Sequence, residues 1–119
     1  MYEMMNLLKH SERIKSELII GSKMLVALKG FKDAEFTGAL KMLEQYFQAL
    51  LTEVGIALNS TKDLRFKDIL DLISNLNFAD YNTSMESISK AVSITTTCAN
   101  EAFQTLFGDK AEKDRISKG

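Results

Sequence analysis

The sequence predicts an all-α fold, an up-and-down four-helix bundle with a short third helix. The first observation behind this prediction is an uninterrupted apolar repeat, whose alternating spacings of four and three residues place every member on one seam of a helix. Its members are Phe36, Leu40, Leu43, Phe47, Leu50, Val54 and Ala57. Residues 4–28 and 85–106 carry the same rhythm. The second observation is the absence of proline from all 119 residues, since proline would interrupt such helices.

Turn residues divide this pattern into four elements. The predicted helices cover residues 2–28, 33–58, 62–76 and 83–107. Gly30 is placed to close the first helix in a left-handed conformation, and Asp33 to cap the second. Thr83 and Glu86 have the spacing of a capping box and mark the start of the fourth. The first connection is so short that the first two helices must run antiparallel.

The chain is expected to form one domain over residues 1–108, since its length is ordinary for a single domain. Residues 109–119 alternate in charge and offer little to bury, which predicts a disordered charged C-terminal tail. Residues 91–98 are rich in β-branched side chains that favour a strand locally. We nevertheless predict a helix there, because the apolar rhythm continues through the segment and no other segment offers a strand to pair with it.

Composition limits the classes of function. The net charge is −1, from 15 basic and 16 acidic residues, which gives no general attraction to nucleic acid or anionic lipid. A single cysteine, Cys98, allows no intrachain disulfide and is expected to be a small core residue. The most apolar stretch, residues 18–28, contains Lys23 and is too short to span a bilayer. We therefore expect a cytoplasmic protein with no membrane partner, and nucleic acid is not the expected partner.

The only histidine, His10, is the first candidate for chemistry. Glu3 and Glu17 lie seven residues to either side of it, whereas ligands on one helix usually lie three or four residues apart. The Glu-x-x-His motif of di-iron bundles is missing, because Leu7 occupies the glutamate position. We predict no catalytic, metal or cofactor site and no cofactor. The alternative is a small phosphotransfer or enzyme module that uses His10.

The strongest functional feature is an excess of apolar residues outside the seams of the first two helices. A helix on the surface of a four-helix monomer needs only one apolar stripe. The predicted interface residues are Ile19, Ile20, Met24, Met42, Tyr46 and Ile56. We therefore predict a non-enzymatic protein that acts through self-association, as a homodimer, or through a protein partner. The short third helix would leave part of the core open, and a second subunit could close it.

A second alternative is a subunit of a nucleic-acid-associated complex. Its support is the set of basic residues on the first helix and its end, which are Arg13, Lys15, Lys23, Lys29 and Lys32. The order of a long second helix and a short third one resembles that of helical accessory domains in bacterial and archaeal defence systems. The basic-x4-His motif of the nuclease members of one such family is missing here, because Met5 lies five residues before His10.

The seams also predict the core. We expect one contiguous cluster of almost fully buried side chains, since four seams can be hidden only together. Its predicted members are Leu18, Leu25, Leu43, Phe47, Leu50, Ile73, Val92 and Ala99.

Overall fold

The computed structural model describes residues 2–108, which form four α-helices. They are α1 (Tyr2–Leu28), α2 (Asp33–Thr61), α3 (Arg65–Ser74) and α4 (Tyr81–Phe103), and a π-helical turn (Gln104–Gly108) follows α4. Helix α1 packs against α2 and α4, and α3 packs against the same two helices. The predicted up-and-down bundle with a short third helix is confirmed. The predicted tail at residues 109–119 lies outside the described residues.

The seams of α1 and α2 form the centre of the core as predicted. The buried members are Leu7, Ser11, Ile14, Leu18, Gly21, Leu25 and Leu28 on α1, and Leu43, Phe47, Leu50, Val54 and Ala57 on α2. The first two members of the α2 seam differ, because Phe36 is exposed and Leu40 is only partly buried. With ten residues, α3 is much shorter than α2. The early turns of α2 therefore stay largely open to solvent.

The seam of α4 is rotated relative to the prediction. Ile88, Thr95, Ala99 and Ala102 are buried as expected, but Met85, Val92 and Leu106 are not. The remaining buried positions are Ser84, Ala91 and Cys98. Among the described helices, α1 and α4 share the most extensive contact, and small side chains allow two helices to approach closely. The predicted full burial of Val92 is therefore wrong, whereas the other seven predicted core residues are buried.

The β-branched segment 91–98 is helical, as the apolar rhythm predicts. Its hydroxyl groups bond to the helix backbone. Thr95 Oγ1 and Thr96 Oγ1 donate to the carbonyl oxygen of Val92 at 2.7 and 2.9 Å. These bonds satisfy the polar groups that a buried threonine brings into the core.

The helix ends differ most from the predictions. Gly30 is not left-handed, and α1 ends instead in tight turns such as the bond from Gly30 N to the carbonyl oxygen of Ala27. The predicted cap of α2 at Asp33 is wrong, because Asp33 is the first residue of the helix and Lys32, the residue at the N-cap position, makes no capping bond with its side chain within residues 2–108. The N-cap of α4 is Asp80, whose Oδ1 accepts from Thr83 N at 3.1 Å. The predicted capping box at Thr83 is wrong, because α4 begins two residues before it.

The junction of α2 and α3 also lies later in the chain than predicted. Helix α2 continues to Thr61, and Lys62 closes it in a left-handed conformation with φ 58°. Helix α3 consequently begins at Arg65 rather than at residue 62, and it ends two residues early, at Ser74. The loop that follows places the Phe78 ring 5.4 Å from the ring of Phe47. This loop covers part of the core that the short α3 leaves open.

None of the helices described over residues 2–108 is both long and apolar enough to cross a bilayer.

Candidate functional site

Most of the predicted interface residues remain accessible in the folded chain. Ile20, Met42 and Ile56 are 49%, 71% and 55% exposed, and Ile19 is 36% exposed. Met24 and Tyr46 are only partly buried by the core. Ile19 and Ile20 point about 100° apart because they are neighbours on one helix. The six residues therefore do not form one patch, and Ile19 belongs to a different side of α1.

A second apolar stripe runs along the outside of the α1–α2 pair. Ile20 and Ala27 are seven residues apart on α1, and Met42, Ala49 and Ile56 repeat at the same interval on α2. All five are exposed. Positions seven residues apart lie on nearly the same face of a helix, so these residues form two adjoining stripes. We call this surface the outer face of the hairpin.

A groove of about 200 Å³ lies at the end of the outer face nearest the α1–α2 turn. Its lining residues are Met24, Ala27, Leu28, Phe31, Ala39, Met42 and Leu43. Every one of these residues is apolar. Phe31 is 42% exposed and stands at the mouth of the groove in the turn itself. Phe31 is not among the predicted interface residues, because its place depends on how the turn folds.

A polar cluster lies further along the same helix pair. Arg13 Nη2 donates to Glu53 Oε1 at 2.8 Å, and Arg13 Nε lies 3.4 Å from Glu17 Oε1. The hydroxyl of Tyr46 donates to the backbone carbonyl oxygen of Glu17 at 2.7 Å. The cluster therefore ties α1 to α2. The hydroxyl of Tyr46, a predicted interface residue, therefore forms a hydrogen bond within the chain.

Burial and neighbouring charges shift the proton affinities in this cluster. Burial, followed by the adjacent Glu53 carboxyl, raises the pKa of Glu17 above its ordinary value despite the opposing effect of Arg13. Burial and the two glutamates raise the pKa of Tyr46. Two carboxyl groups on neighbouring helices therefore meet a single arginine at the middle of the hairpin.

His10 lies beside this cluster rather than at the centre of a ligand set. It borders a hollow of about 120 Å³ together with Arg13, Ile14, Glu53 and Ile56. Burial, with the positive charges of Lys9 and Arg13, lowers the pKa of His10 below its ordinary value. Within residues 2–108 no three His, Cys, Asp or Glu side chains are grouped as a metal site would require.

Two of the five basic residues behind the nucleic-acid hypothesis have partners within the chain. Arg13 pairs with Glu53, and Lys29 Nζ lies 3.5 Å from the centre of the Tyr81 ring. A cation over an aromatic face is a stabilising contact in its own right. These contacts give both residues a structural role in joining helices.

A wider groove of about 500 Å³ lies between α2 and the segment that follows α3. Its apolar floor consists of Phe47, Leu51, Ile73, Leu76 and Phe78. Its polar rim consists of Glu44, Gln45, Gln48, Ser74 and Asn77. This is the region that the short third helix was expected to leave open. Phe47 itself is only 3% exposed, so the core beneath the groove is closed.

Comparison of the chain with protein-family models, with curated proteins and with solved structures finds no match.

Proposed function

We propose that this protein is a non-enzymatic helical bundle that acts by associating with a second copy of itself through the outer face of the hairpin. The observation that carries the proposal is Met42, which is 71% exposed beside a groove lined only by apolar residues. An exposed apolar stripe next to such a groove is typical of a protein interface. A methionine side chain adapts its shape to a partner surface, which suits an interface contact.

The size of the outer face supports a dimer. With 29 residues, α2 is about 43 Å long, and two adjacent helices are about 20 Å wide. The whole side of the hairpin that carries the outer face therefore measures roughly 800 Å², which is the area that each partner of a standard stable interface buries. The five residues of the outer face form the apolar part of that area. A smaller patch would fit only a transient contact.

Charge favours a second copy over an unrelated partner. Residues 10–32 carry five basic and two acidic side chains, and residues 33–58 carry one basic and four acidic ones. A two-fold axis parallel to the helices would place α1 of each copy opposite α2 of the other, so that unlike charges face each other. The same axis keeps the two stripes level with each other, which brings Ala27 opposite the partner's Met42 and Ile20 opposite the partner's Ala49.

A cytoplasmic location forms part of the same proposal. It is supported by the single cysteine, Cys98, which is buried and whose thiol has its pKa raised by that burial. A thiol of this kind needs no oxidising compartment and takes no part in disulfide chemistry.

The test is the molar mass of the full chain by sedimentation over a range of concentrations, with two matched variants. Met42 and Leu64 are equally exposed, at 71% and 72%, but Leu64 lies just before α3, away from the outer face. Met42→Lys should weaken the dimer by about tenfold or more, since burying an unpaired charge within the interface costs over 1 kcal/mol. Leu64→Lys should leave the dissociation constant unchanged.

Two results would overturn the proposal. The first is a wild-type chain that remains monomeric up to roughly millimolar concentration, the weakest range that a specific contact would occupy. The second is an equal effect of Met42→Lys and Leu64→Lys on the dissociation constant, which would indicate nonspecific hydrophobic association rather than a defined interface.

A further inference from the structure

One oxygen of Glu53 lacks a donor. Glu53 Oε1 accepts from Arg13 Nη2 at 2.8 Å, but Oε2 is buried and has no hydrogen-bond partner among residues 2–108. A buried acceptor left without a donor costs free energy, and native structures leave few such groups unsatisfied. The contact with Arg13 holds the Glu53 carboxyl against α1, so the side chains of α1 are its neighbours across the hairpin.

The neighbouring carboxyl of Glu17 meets this requirement. Arg13 contacts both glutamates, and its contact with Glu17, at 3.4 Å, is longer than its contact with Glu53. The side chains of Glu17 and Glu53 are only 25% and 30% exposed. Two carboxylates held together with so little water repel each other unless one of them takes up a proton. Since Arg13 lies closer to Glu53, Glu17 is the member of the pair that takes up the proton.

We propose that Glu17 takes up one proton from solvent and donates it to Glu53 Oε2, so that a carboxylic acid–carboxylate hydrogen bond joins α1 to α2 beside Arg13. This bond satisfies the unpartnered oxygen and removes the repulsion at the same time. It makes the middle of the hairpin sensitive to pH. The proposal needs only a single chain and does not depend on self-association.

The other titratable groups around the pair set the direction of the effect. On α1 these are Lys9, His10 and Arg13, and on α2 the group is Tyr46. Arg13 opposes protonation of Glu17, but burial and Glu53 outweigh it, and the pKa of Glu17 is raised. The lowered pKa of His10 acts in the opposite direction, because the folded state binds that proton less readily and gains stability as the pH rises. The effect of Glu17 is therefore the difference between the wild type and Glu17→Gln, and Tyr46, whose pKa is raised, titrates in the alkaline range.

The sign of the pH dependence follows from linkage. Because the pKa of Glu17 is higher in the folded chain than in the unfolded chain, the folded state binds more protons between those two values. The contribution of this bond is complete below the unfolded value of about 4.3 and is lost as the pH rises through the folded value. Above that window the two carboxylates share one arginine, and the contact between α1 and α2 weakens.

The deciding measurement is an NMR titration of the Glu17 side-chain carboxyl carbon in the full chain, folded and in urea. It should be run on the wild type and on Met42→Lys, so that a shift seen in both arises within one chain. The midpoint for Glu17 should be higher in the folded protein than in urea. Glu53→Gln should lower that midpoint, because it removes the neighbouring negative charge.

A melting series across the same pH range gives a second readout. The amide of Glu17→Gln donates to Glu53 Oε2 at every pH, so this variant should lose the fall in melting temperature that the wild type shows through the Glu17 window. Glu12→Gln, a matched change at an exposed position of α1, should keep the wild-type fall.

Equal midpoints for Glu17 in the folded and unfolded chains would overturn the proposal. The same is true if Glu17→Gln and Glu12→Gln melt with identical pH dependence. If Glu17→Gln does not fold, the wild-type titration alone decides.

Discussion

The ring of Phe47 occupies the space where Gly21 would carry a side chain. A Cβ atom built on Gly21 would lie 2.7 Å from Phe47 Cζ and 3.3 Å from Tyr46 Cε1. The same ring meets Tyr46 edge-on at 5.8 Å between ring centres. Helices α1 and α2 therefore approach each other through a glycine on one side and an aromatic pair on the other. Any side chain at Gly21 must displace a ring from a closely packed core.

Gly21→Ala should destabilise the protein. Overpacking of a core typically costs about 1–3 kcal/mol, whereas alanine gains up to about 1 kcal/mol over glycine in helix propensity. The matched control is Gly55→Ala on α2, where an added Cβ would meet nothing within 4 Å. That control should stabilise the protein by up to about 1 kcal/mol. Urea denaturation of both variants checks the pair, and a Gly21→Ala protein as stable as Gly55→Ala would contradict the proposed packing.

Phe47→Ala should cost about 3–5 kcal/mol, the usual range for a buried phenylalanine. Phe47 is 3% exposed and lies between Tyr46 and Phe78. A loss of this size is a large share of the roughly 5–15 kcal/mol that stabilises a typical domain. In the Gly21→Ala background the cost should be smaller, since the ring is already displaced there and neighbouring changes do not add. Denaturation curves for the four members of this cycle give the coupling, and additive costs would show that the two residues do not touch.

The apolar rhythm predicts the buried face of α1 and α2 because it records which side each helix turns to the core. It fails on α4, where Ala91, Cys98 and Ser84 take the buried positions and Val92 is partly buried. Small residues and apolar ones alternate there, so the rhythm fits two adjacent seams. The close approach of α4 to α1 selects the seam of small residues. The distance between these two helices cannot be predicted from the sequence.

The contacts of the candidate site that the sequence could not reveal depend on how α1 and α2 align along each other. Arg13 and Glu53 are forty residues apart in the chain, and only the pairing of α1 with α2 brings them within 2.8 Å. The seven-residue interval between Ile20 and Ala27 is visible in the sequence and separates the outer face from Ile19. The cap at Asp80 was missed because Thr83 offered a plausible competing start for the same helix.

Lys62→Gly should stabilise the protein by up to about 1 kcal/mol. Lys62 holds φ 58° at the end of α2, and its N–H donates to the Leu58 carbonyl oxygen at 2.8 Å. A non-glycine residue in this left-handed conformation costs about 1–2 kcal/mol, partly offset by the greater freedom of glycine in the unfolded chain. Lys67→Gly, within α3, is the control and should destabilise by about 1 kcal/mol. Thermal melts that rank the two variants in the opposite order would exclude the left-handed cap.

Asp80→Ala should lower the melting temperature near neutral pH, and the deficit should shrink in acid. The hydroxyl of Thr83 at 2.8 Å, followed by its backbone N–H, lowers the pKa of Asp80. The folded state therefore binds this proton less readily than the unfolded state. The stability from the cap is present above the unfolded value of about 3.9 and is lost as the pH falls through the lower folded value.

Asp80→Asn keeps an acceptor for the Thr83 N–H and should retain part of the melting temperature with a flatter acid response. Asp71→Ala, at an exposed position of α3, is the matched control for the loss of one surface carboxylate. A constant deficit for Asp80→Ala from neutral pH to below pH 3 would mean that the carboxylate does not cap α4.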